Sequence, residues 1–567
     1  MRTAAFLRNV PVLAGLSEAL LERLAGQVTE RRVRGNGWVM REGEPADSMF
    51  IVSSGRVEVL DEGPPEALIR VLRRGDVLGE LALLRQGTRS ASVRARHDAQ
   101  LLELGREAFE ALIQEAPSFA LGLTRSMGAQ LAASRSPIVA ATPPKTIAVI
   151  GLDERAPVDE VAGGLAAALA KEGSVARLHT GDLPAIDQAE RDADRVIMRA
   201  GRDPADSWTQ LCVREADLVF AVTAGVPQAR WLAEAGALHG CELLVLGAPV
   251  ANTTLDQLQP REVQVVGEES QTVAALEMCA RRLAGRALGI VLSGGGARAL
   301  AHLGVLEVLR DAGLRLDRVG GVSLGSLVAA ATAAGFTPQG MYEAFEHGFV
   351  DGNPSNDFVP PAYSLIRGAK TRKLLQAAFG ERRIEELPLR FYCVSCDLVA
   401  RDSVVHRTGR VADAIYASLA IPGVFPPVAV DGRLLVDGGV LDNLPVATMA
   451  RTGEGPVIAV DVTGRTGHFG GAQRGVVARL GRPVRHALTG NDAEIPRLGE
   501  TIVRTLTVGS IDTIAAARLH ADLIIGPRVE GIGLMDWKAF PRVVELGRQA
   551  AREALEANPD LSERLGS

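Results

Sequence analysis

The chain is poor in cysteine. Five occur in 567 residues, Cys212, Cys241, Cys279, Cys393 and Cys396. So sparse and odd a set excludes a disulfide framework and points to a reducing compartment. Cys393-x-x-Cys396 has neither a second pair nor a spaced histidine beside it, so core thiols are expected there rather than a zinc or redox site, and no metal is expected anywhere. The sequence also lacks any run of about twenty apolar residues. Ala4-Ala5-Phe6-Leu7 is too short for a secretory signal and is interrupted by Arg8. A cytoplasmic protein, peripheral at a membrane at most, is therefore expected. Excess basic charge is missing too. A net charge of −6 argues against a general nucleic-acid or anionic-membrane binder, and no nucleic-acid partner is expected.

What is present is ordinary globular sequence, 47% hydrophobic and 23% charged, and too long for one core. Residues 13–134 are rich in short strands and turns, and 137–144, with Pro143-Pro144, read as a linker. From Thr146 apolar strands alternate with helical stretches, as at 147–150, 158–171, 218–222 and 243–246, which predicts a parallel α/β domain. No Gly-Lys-Ser/Thr phosphate loop occurs in it. A third unit begins near Leu288 and alternates again, and 539–555 form an amphipathic helix.

The chemistry-bearing residues lie in this third unit. Ser323 sits in Gly321-Val322-Ser323-Leu324-Gly325, between an apolar strand and a small-residue helix. A sharp strand-to-helix turn lifts a serine hydroxyl clear of the backbone and makes it a nucleophile. Upstream, an apolar strand runs into Ser293-Gly294-Gly295-Gly296 and then a helix, where backbone N–H groups converge on one point and favour an anion. A dinucleotide loop would fit those glycines, but the last position of G-x-G-x-x-G is Ala299 and a serine elbow comes where the ribose-binding acid belongs. Downstream, Asp437-Gly438-Gly439 ends another apolar strand. Glycine loop, serine elbow and aspartate in this order are far more specific than any one of them.

Two resemblances follow from these runs. The turn-strand-turn-strand sequence from Gly43 to Val59, with Gly75-Asp76-Val77-Leu78-Gly79-Glu80-Leu81 and Arg89-Ser90-Ala91, resembles a cyclic-nucleotide-binding domain. The resemblance implies that Glu80 accepts from a ribose 2′-OH, Arg89 forks onto the cyclic phosphate and Gly79 lets the backbone approach the sugar. Ser90 stands where the family distinguishes cAMP from cGMP, and the base preference stays open. So does a retained β-roll in which Glu80 and Arg89 merely pair with each other.

The run 293–306, the elbow, Ser418-Leu419-Ala420-Ile421-Pro422-Gly423 and Asp437-Gly438-Gly439 resemble the patatin-like phospholipases, and the module order resembles their neuropathy target esterase branch. The chain departs from that branch at Ala299, in a single nucleotide module and in showing no N-terminal membrane anchor.

These resemblances imply a multidomain chain: a cyclic-nucleotide-binding-like β-roll at 1–135, a linker at 136–146, a middle parallel α/β domain at 147–284, a patatin-like α/β hydrolase domain at 285–464 and a helical C-terminal extension at 465–567. They make Ser323 the nucleophile and Asp437 its only base, with the oxyanion held by Gly294, Gly295 and Gly296, and with Gly321, Gly325, Gly438 and Gly439 shaping the turns. His302 is expected behind the glycine loop, not in the chemistry. The implied activity is hydrolysis of lysophospholipids or related acyl esters through an acyl-enzyme, with no catalytic cofactor and with cAMP or cGMP as the candidate regulator. The basic and apolar stretch 363–375 is a candidate rim for transient contact with a membrane surface. The alternative is a nucleotide-sensing scaffold with an inert hydrolase domain.

Overall fold

Turn residues every few positions break residues 29–105 into eight short antiparallel strands: β1 (Thr29–Val33), β2 (Trp38–Met40), β3 (Ser48–Ser54), β4 (Val57–Asp61), β5 (Ala67–Leu72), β6 (Val77–Leu78), β7 (Ser92–Ala95) and β8 (Ala99–Gly105). They form two sheets, ordered β1-β8-β3-β6 and β2-β7-β4-β5, the β-roll expected of this segment. The computed structural model describes residues 2–8, 10–61, 67–85, 87–96, 98–124, 143–233, 235–247, 249–352, 356–360, 364–430, 432–463 and 517–559. Most of the expected linker, Tyr363 and residues 465–516 lie outside these. The chain divides into two units, Met1–Leu283 and Ala284–Ser567.

The first unit also holds a six-stranded sheet. Its strands β9 (Thr146–Gly151), β10 (Val175–Leu178), β11 (Arg195–Arg199), β12 (Leu218–Thr223), β13 (Glu242–Leu246) and β14 (Glu262–Val266) are all parallel, ordered β10-β11-β9-β12-β13-β14. β9 and β12 are buried along their whole length, which is why they read as unbroken apolar runs. The β-roll meets this sheet through a buried ionic joint. Arg56, between β3 and β4, donates from Nε to Asp217 Oδ1 at 2.8 Å and from Nη2 to Glu190 Oε1 at 3.2 Å and Thr146 Oγ1 at 3.3 Å. The Gly55 N–H donates to the Glu215 carboxylate at 3.2 Å. Burial alone would raise the pKa of Asp217, but Arg56 and Arg73 hold it below the usual carboxylate value.

The second unit is built on β15 (Gly289–Leu292), β16 (Arg318–Val322), β17 (Arg390–Asp397), β18 (Asp402–His406), β19 (Val428–Val430), β20 (Arg433–Asp437), β21 (Val457–Val460) and β22 (Leu523–Ile525). The sheet order is β19-β20-β17-β16-β15-β21-β22, with β18 also on β17. The C-terminal segment therefore supplies an edge strand as well as the expected helix, Phe540–Glu556. That helix lies close on helix Ala301–Asp311, because a Cβ at Gly304 would meet Val544 O at 2.0 Å and one at Gly547 would meet Ala301 O at 2.0 Å.

Register on β17 positions the site. Cys393 and Val394 pair with both β16 and β18, so those two strands occupy opposite edges. Ser395 to Asp397 pair with both β18 and β20. β20 therefore takes over the edge that β16 leaves. β16 ends at Val322, opposite Val394, and Asp437 lies opposite Ser395, the next residue along. Positions 323 and 437 are brought together by this handover.

Candidate active site

Ser323 follows the last residue of β16 and caps helix Leu324–Ala333, with φ +53° and ψ −134°. A non-glycine residue in this region is strained, and the strain is held by the packed strand and helix on either side. Close approach explains the flanking glycines. A Cβ at Gly321 would meet Gly325 O at 2.7 Å, and one at Gly325 would meet Ser293 O at 2.4 Å and Leu292 O at 2.5 Å. Neither contact could be relieved by a side-chain move, because the obstacles are backbone.

Asp437 is buried, as is Ser323, and its carboxylate accepts a hydrogen bond from the Ser323 hydroxyl. Its Oδ1 also accepts from the Gly439 N–H at 2.8 Å. Burial pushes the Asp437 pKa up and the bonds from Ser323 and Gly439 pull it partway back, leaving it at about 6. Gly438 has no room for a side chain, since a Cβ there would meet Val394 O at 2.3 Å.

The glycine loop lies against the serine. A Cβ at Gly294 would come within 3.0 Å of Ser323 Cβ and 2.5 Å of Asn443 Oδ1. The Gly294 N–H donates to Asn443 O at 3.3 Å, and Asn443 Nδ2 donates to Gly294 O at 3.3 Å. Of the three amides expected to converge, Gly294 is thus engaged. Among the described residues the N–H groups of Gly295 and Gly296 donate to no protein acceptor. Gly296 has φ +53°, and a Cβ there would meet Leu534 O at 2.3 Å. The loop is braced from behind: Ala297 N–H donates to Leu534 O at 2.8 Å, Arg298 Nε to Ile532 O at 2.7 Å, and Val462 N–H to Ser293 Oγ at 2.9 Å. The Ala299 methyl is packed in the hydrophobic core.

His302 lies behind the loop as expected. Its Nε2 is 2.9 Å from Ser293 O, and burial lowers its pKa to about 4, so the ring is neutral. With the carbonyl as acceptor, Nε2 carries the proton. Cys393 and Cys396 are buried free thiols in β17, and no group of potential metal ligands occurs among the described residues.

Two residues that the sequence did not single out hold the elbow. Ser418 Oγ accepts from the Ser323 N–H at 2.9 Å and donates to Val394 O at 2.7 Å, tying the nucleophile's backbone to β17. Its only signal was its place in the Ser418–Gly423 run. Asn443, which holds Gly294 through its backbone carbonyl and its side-chain Nδ2, carried none.

In the β-roll, Gly79 has φ +84° and a Cβ there would meet Arg89 Nη1 at 2.5 Å. Arg89 is buried. It donates to Ser48 O at 2.8 Å, Gly79 O at 3.3 Å and Ser48 Oγ at 3.4 Å, and stands 3.8 Å from the exposed Asp47. Its ion-pair partner is thus Asp47, and no Glu80–Arg89 pair is found among the described residues. Burial lowers the pKa of Arg89 and raises that of the buried Glu80. Ser90 is exposed beside them.

Comparison with known proteins identifies both domains. The patatin-like phospholipase profile matches residues 290–450, and the cyclic nucleotide-binding domain profile matches residues 30–116. An NTE family protein of Mycobacterium tuberculosis is 35% identical over 583 residues, covering 99% of this chain and 97% of its own length. The lysophospholipase NTE1 of Coccidioides immitis is 25% identical over 627 residues, a match that covers 91% of this chain and 40% of the fungal protein. Among solved structures, the regulatory domain of Toxoplasma gondii PKA with cAMP shares 30% identity over 19% of this chain and 42% of its own, with a TM-score of 0.19. That likeness is too partial to carry an argument.

Proposed function

The chain belongs to the NTE family, and from that premise we propose that it is a serine ester hydrolase that cleaves lysophospholipids or related acyl esters with Ser323 and Asp437 alone. The observation that carries this reading is the register on β17, which sets Ser323 beside the buried carboxylate of Asp437, whose pKa is raised to about 6. In water a carboxylate is too weak a base to deprotonate serine. Burial strengthens it, and proton transfer concerted with attack removes the need for a free alkoxide.

Ser323 Oγ attacks the acyl carbonyl carbon while its proton passes to Asp437. The oxyanion that forms is met by the open N–H groups of Gly295 and Gly296, each donor of this kind contributing roughly 3 kcal/mol. The tetrahedral species collapses, the ester C–O bond breaks, and Asp437 returns the proton to the departing alcohol. Water then attacks the acyl-enzyme, giving its proton to Asp437, and the fatty acid leaves as Ser323 is regenerated. No step calls on His302, a metal or a cofactor. With the Ala299 methyl in the core, that departure from the family gives no reason to think the domain inert.

The β-roll takes a cyclic nucleotide as regulator. Arg89 is a buried cation held mainly by neutral carbonyls, with the exposed Asp47 at 3.8 Å as its ion-pair partner, and a cyclic phosphate would give it a closer, bidentate anionic partner. Glu80, close by at the start of helix Glu80–Leu84, supplies the acceptor for a ribose hydroxyl.

A fluorophosphonate probe tests the catalytic reading: wild type is labelled at Ser323, and Ser323→Ala is neither labelled nor active on lysophosphatidylcholine. Full turnover by Ser323→Ala rules the dyad out. Calorimetry with cAMP and cGMP tests the β-roll, and absence of heat from both, or binding that survives Arg89→Leu, removes the regulatory assignment.

A further inference from the structure

Resting on the lipid-ester reading of the active site, we infer that the surface around Phe358 and the start of helix Ala369–Phe379 docks the enzyme on anionic lipid. Phe358 is 75% exposed, unusual for an aromatic side chain. It bridges Ile366, and the next backbone bond joins Arg367 N–H to Asp357 O at 2.9 Å, so the ring stands beside the segment that follows. That segment, residues 367–373, carries Arg367, Lys370, Arg372 and Lys373, all exposed, and no acid. Arg372 is fixed in place with its guanidinium 3.7 Å from the Tyr416 ring centroid. The neighbouring acid Asp357 is turned inward to cap the helix, accepting from Ala369 N–H at 2.8 Å. Overall the chain is acidic, so this is a local field rather than a property of the whole protein.

The patch belongs to the catalytic end of the domain. Leu365 N–H donates to Gly423 O at 2.9 Å and Ile366 N–H to Val424 O at 3.0 Å. A few residues back in that same loop, Ala420 O accepts from Asp437 N–H at 2.9 Å and Ser418 Oγ accepts from Ser323 N–H at 2.9 Å. A second apolar group projects from the same end. β17 runs past Ser323's level to a turn where Val399 is 69% exposed, and the adjoining β19 leaves Val430 44% exposed. Aromatic and aliphatic tips among cations are the composition that sits at a lipid headgroup boundary. A protein partner would be met by the same apolar tips, but four cations without an intervening acid match a phosphate-rich surface better. Docking there brings the dyad to lipid that stays in its aggregate.

The test uses the full chain and vesicles of phosphatidylcholine with and without phosphatidylserine. Wild type should co-sediment with the anionic vesicles and be released by salt. Lys370→Gln with Lys373→Gln should weaken partitioning roughly 30-fold, from about 1 kcal/mol per surface cation. Phe358→Asp should do likewise. All variants should hydrolyse a soluble short-chain ester at the wild-type rate, so a failed dyad and a failed docking surface give different results. Equal sedimentation with neutral vesicles, or unchanged anionic binding in both variants, overturns the inference. So does a concentration-dependent dimer that Phe358→Asp dissociates.

Discussion

Replacing Asp437 by asparagine has two consequences that the structure predicts together. With the carboxylate as the proposed base, Asp437→Asn should abolish lysophospholipid hydrolysis. The same carboxylate is ionised at the expense of the fold. Its pKa rises from the model-peptide value of 3.8 to about 6 because it is buried. A folded-state pKa above the unfolded one means that the native protein binds the proton more tightly. Stability from this group is then fully present below the unfolded pKa, near 3.8, and is lost as pH rises to about 6. Above that pH the loss is constant, and a shift of this size corresponds to roughly 3 kcal/mol. Asparagine can keep both bonds, accepting from Gly439 N–H and donating to Ser323 Oγ, without carrying charge. At pH 8 the inactive variant should therefore be the more stable one. For a unit of this size the gain is roughly 5 °C in melting temperature. The assay is scanning calorimetry of wild type and variant from pH 4 to pH 8, following the transition that Asp437→Asn moves. The advantage should shrink below pH 6 and be nearly gone at pH 4. An Asp437→Asn protein that melts below wild type at pH 8, or whose advantage ignores pH, would refute the claim that a desolvated carboxylate is the base.

Three further outcomes follow from the same geometry. The kcat/KM for a soluble ester should fall about tenfold per pH unit below about pH 6, since Asp437 must be unprotonated to accept the serine proton; a profile flat to pH 5 contradicts this. Ser418→Ala leaves the Ser323 N–H and Val394 O without their shared partner, at roughly 1–3 kcal/mol for each stranded group. The elbow should loosen, kcat should drop more than KM rises, and Ser418→Thr should restore part of the loss. Arg56→Met removes the buried partner that Asp217 and Glu215 share, leaving them only the more exposed Arg73 and Arg214, and should destabilise the first unit by roughly 3 kcal/mol. Adding Asp217→Asn should recover part of that, and strict additivity of the two substitutions by denaturant titration would show that the joint is not coupled.

Much of this was legible because the decisive signals are local. Ser323 lies where an apolar strand, two glycines and an alanine-rich helix fall within a dozen residues, and the elbow follows from chain sterics alone. Asp437 was legible because a strand-ending acid before two glycines has nowhere to go but a tight turn. The parallel sheet of the first unit and the parallel centre of the second unit's mixed sheet were legible from strands buried on both faces, and the β-roll from its turns. The readable residues share one property: their local sequence dictates their backbone.

The residues that stayed hidden are those whose role is to hold distant backbone. Ser418 is 95 positions from Ser323 and Asn443 is 149 from Gly294. Serine and asparagine are common enough that only contact gives them meaning. The same holds for Arg56, an unremarkable turn arginine until β9 and its neighbours bring three carboxylates to it. The glycine loop is the sharpest case. Sequence makes Gly294, Gly295 and Gly296 equivalent donors, and only the approach of Asn443 distinguishes the one whose amide is already taken from the two that meet no acceptor among the described residues. The handover on β17 has the same origin. No run of residues records that β20 continues the edge where β16 stops, yet that single step of register puts a carboxylate beside a serine 114 residues earlier in the chain. Side-chain chemistry was therefore readable before the fold, whereas the distances that make it work are set by pairings between strands, which no local stretch of sequence encodes.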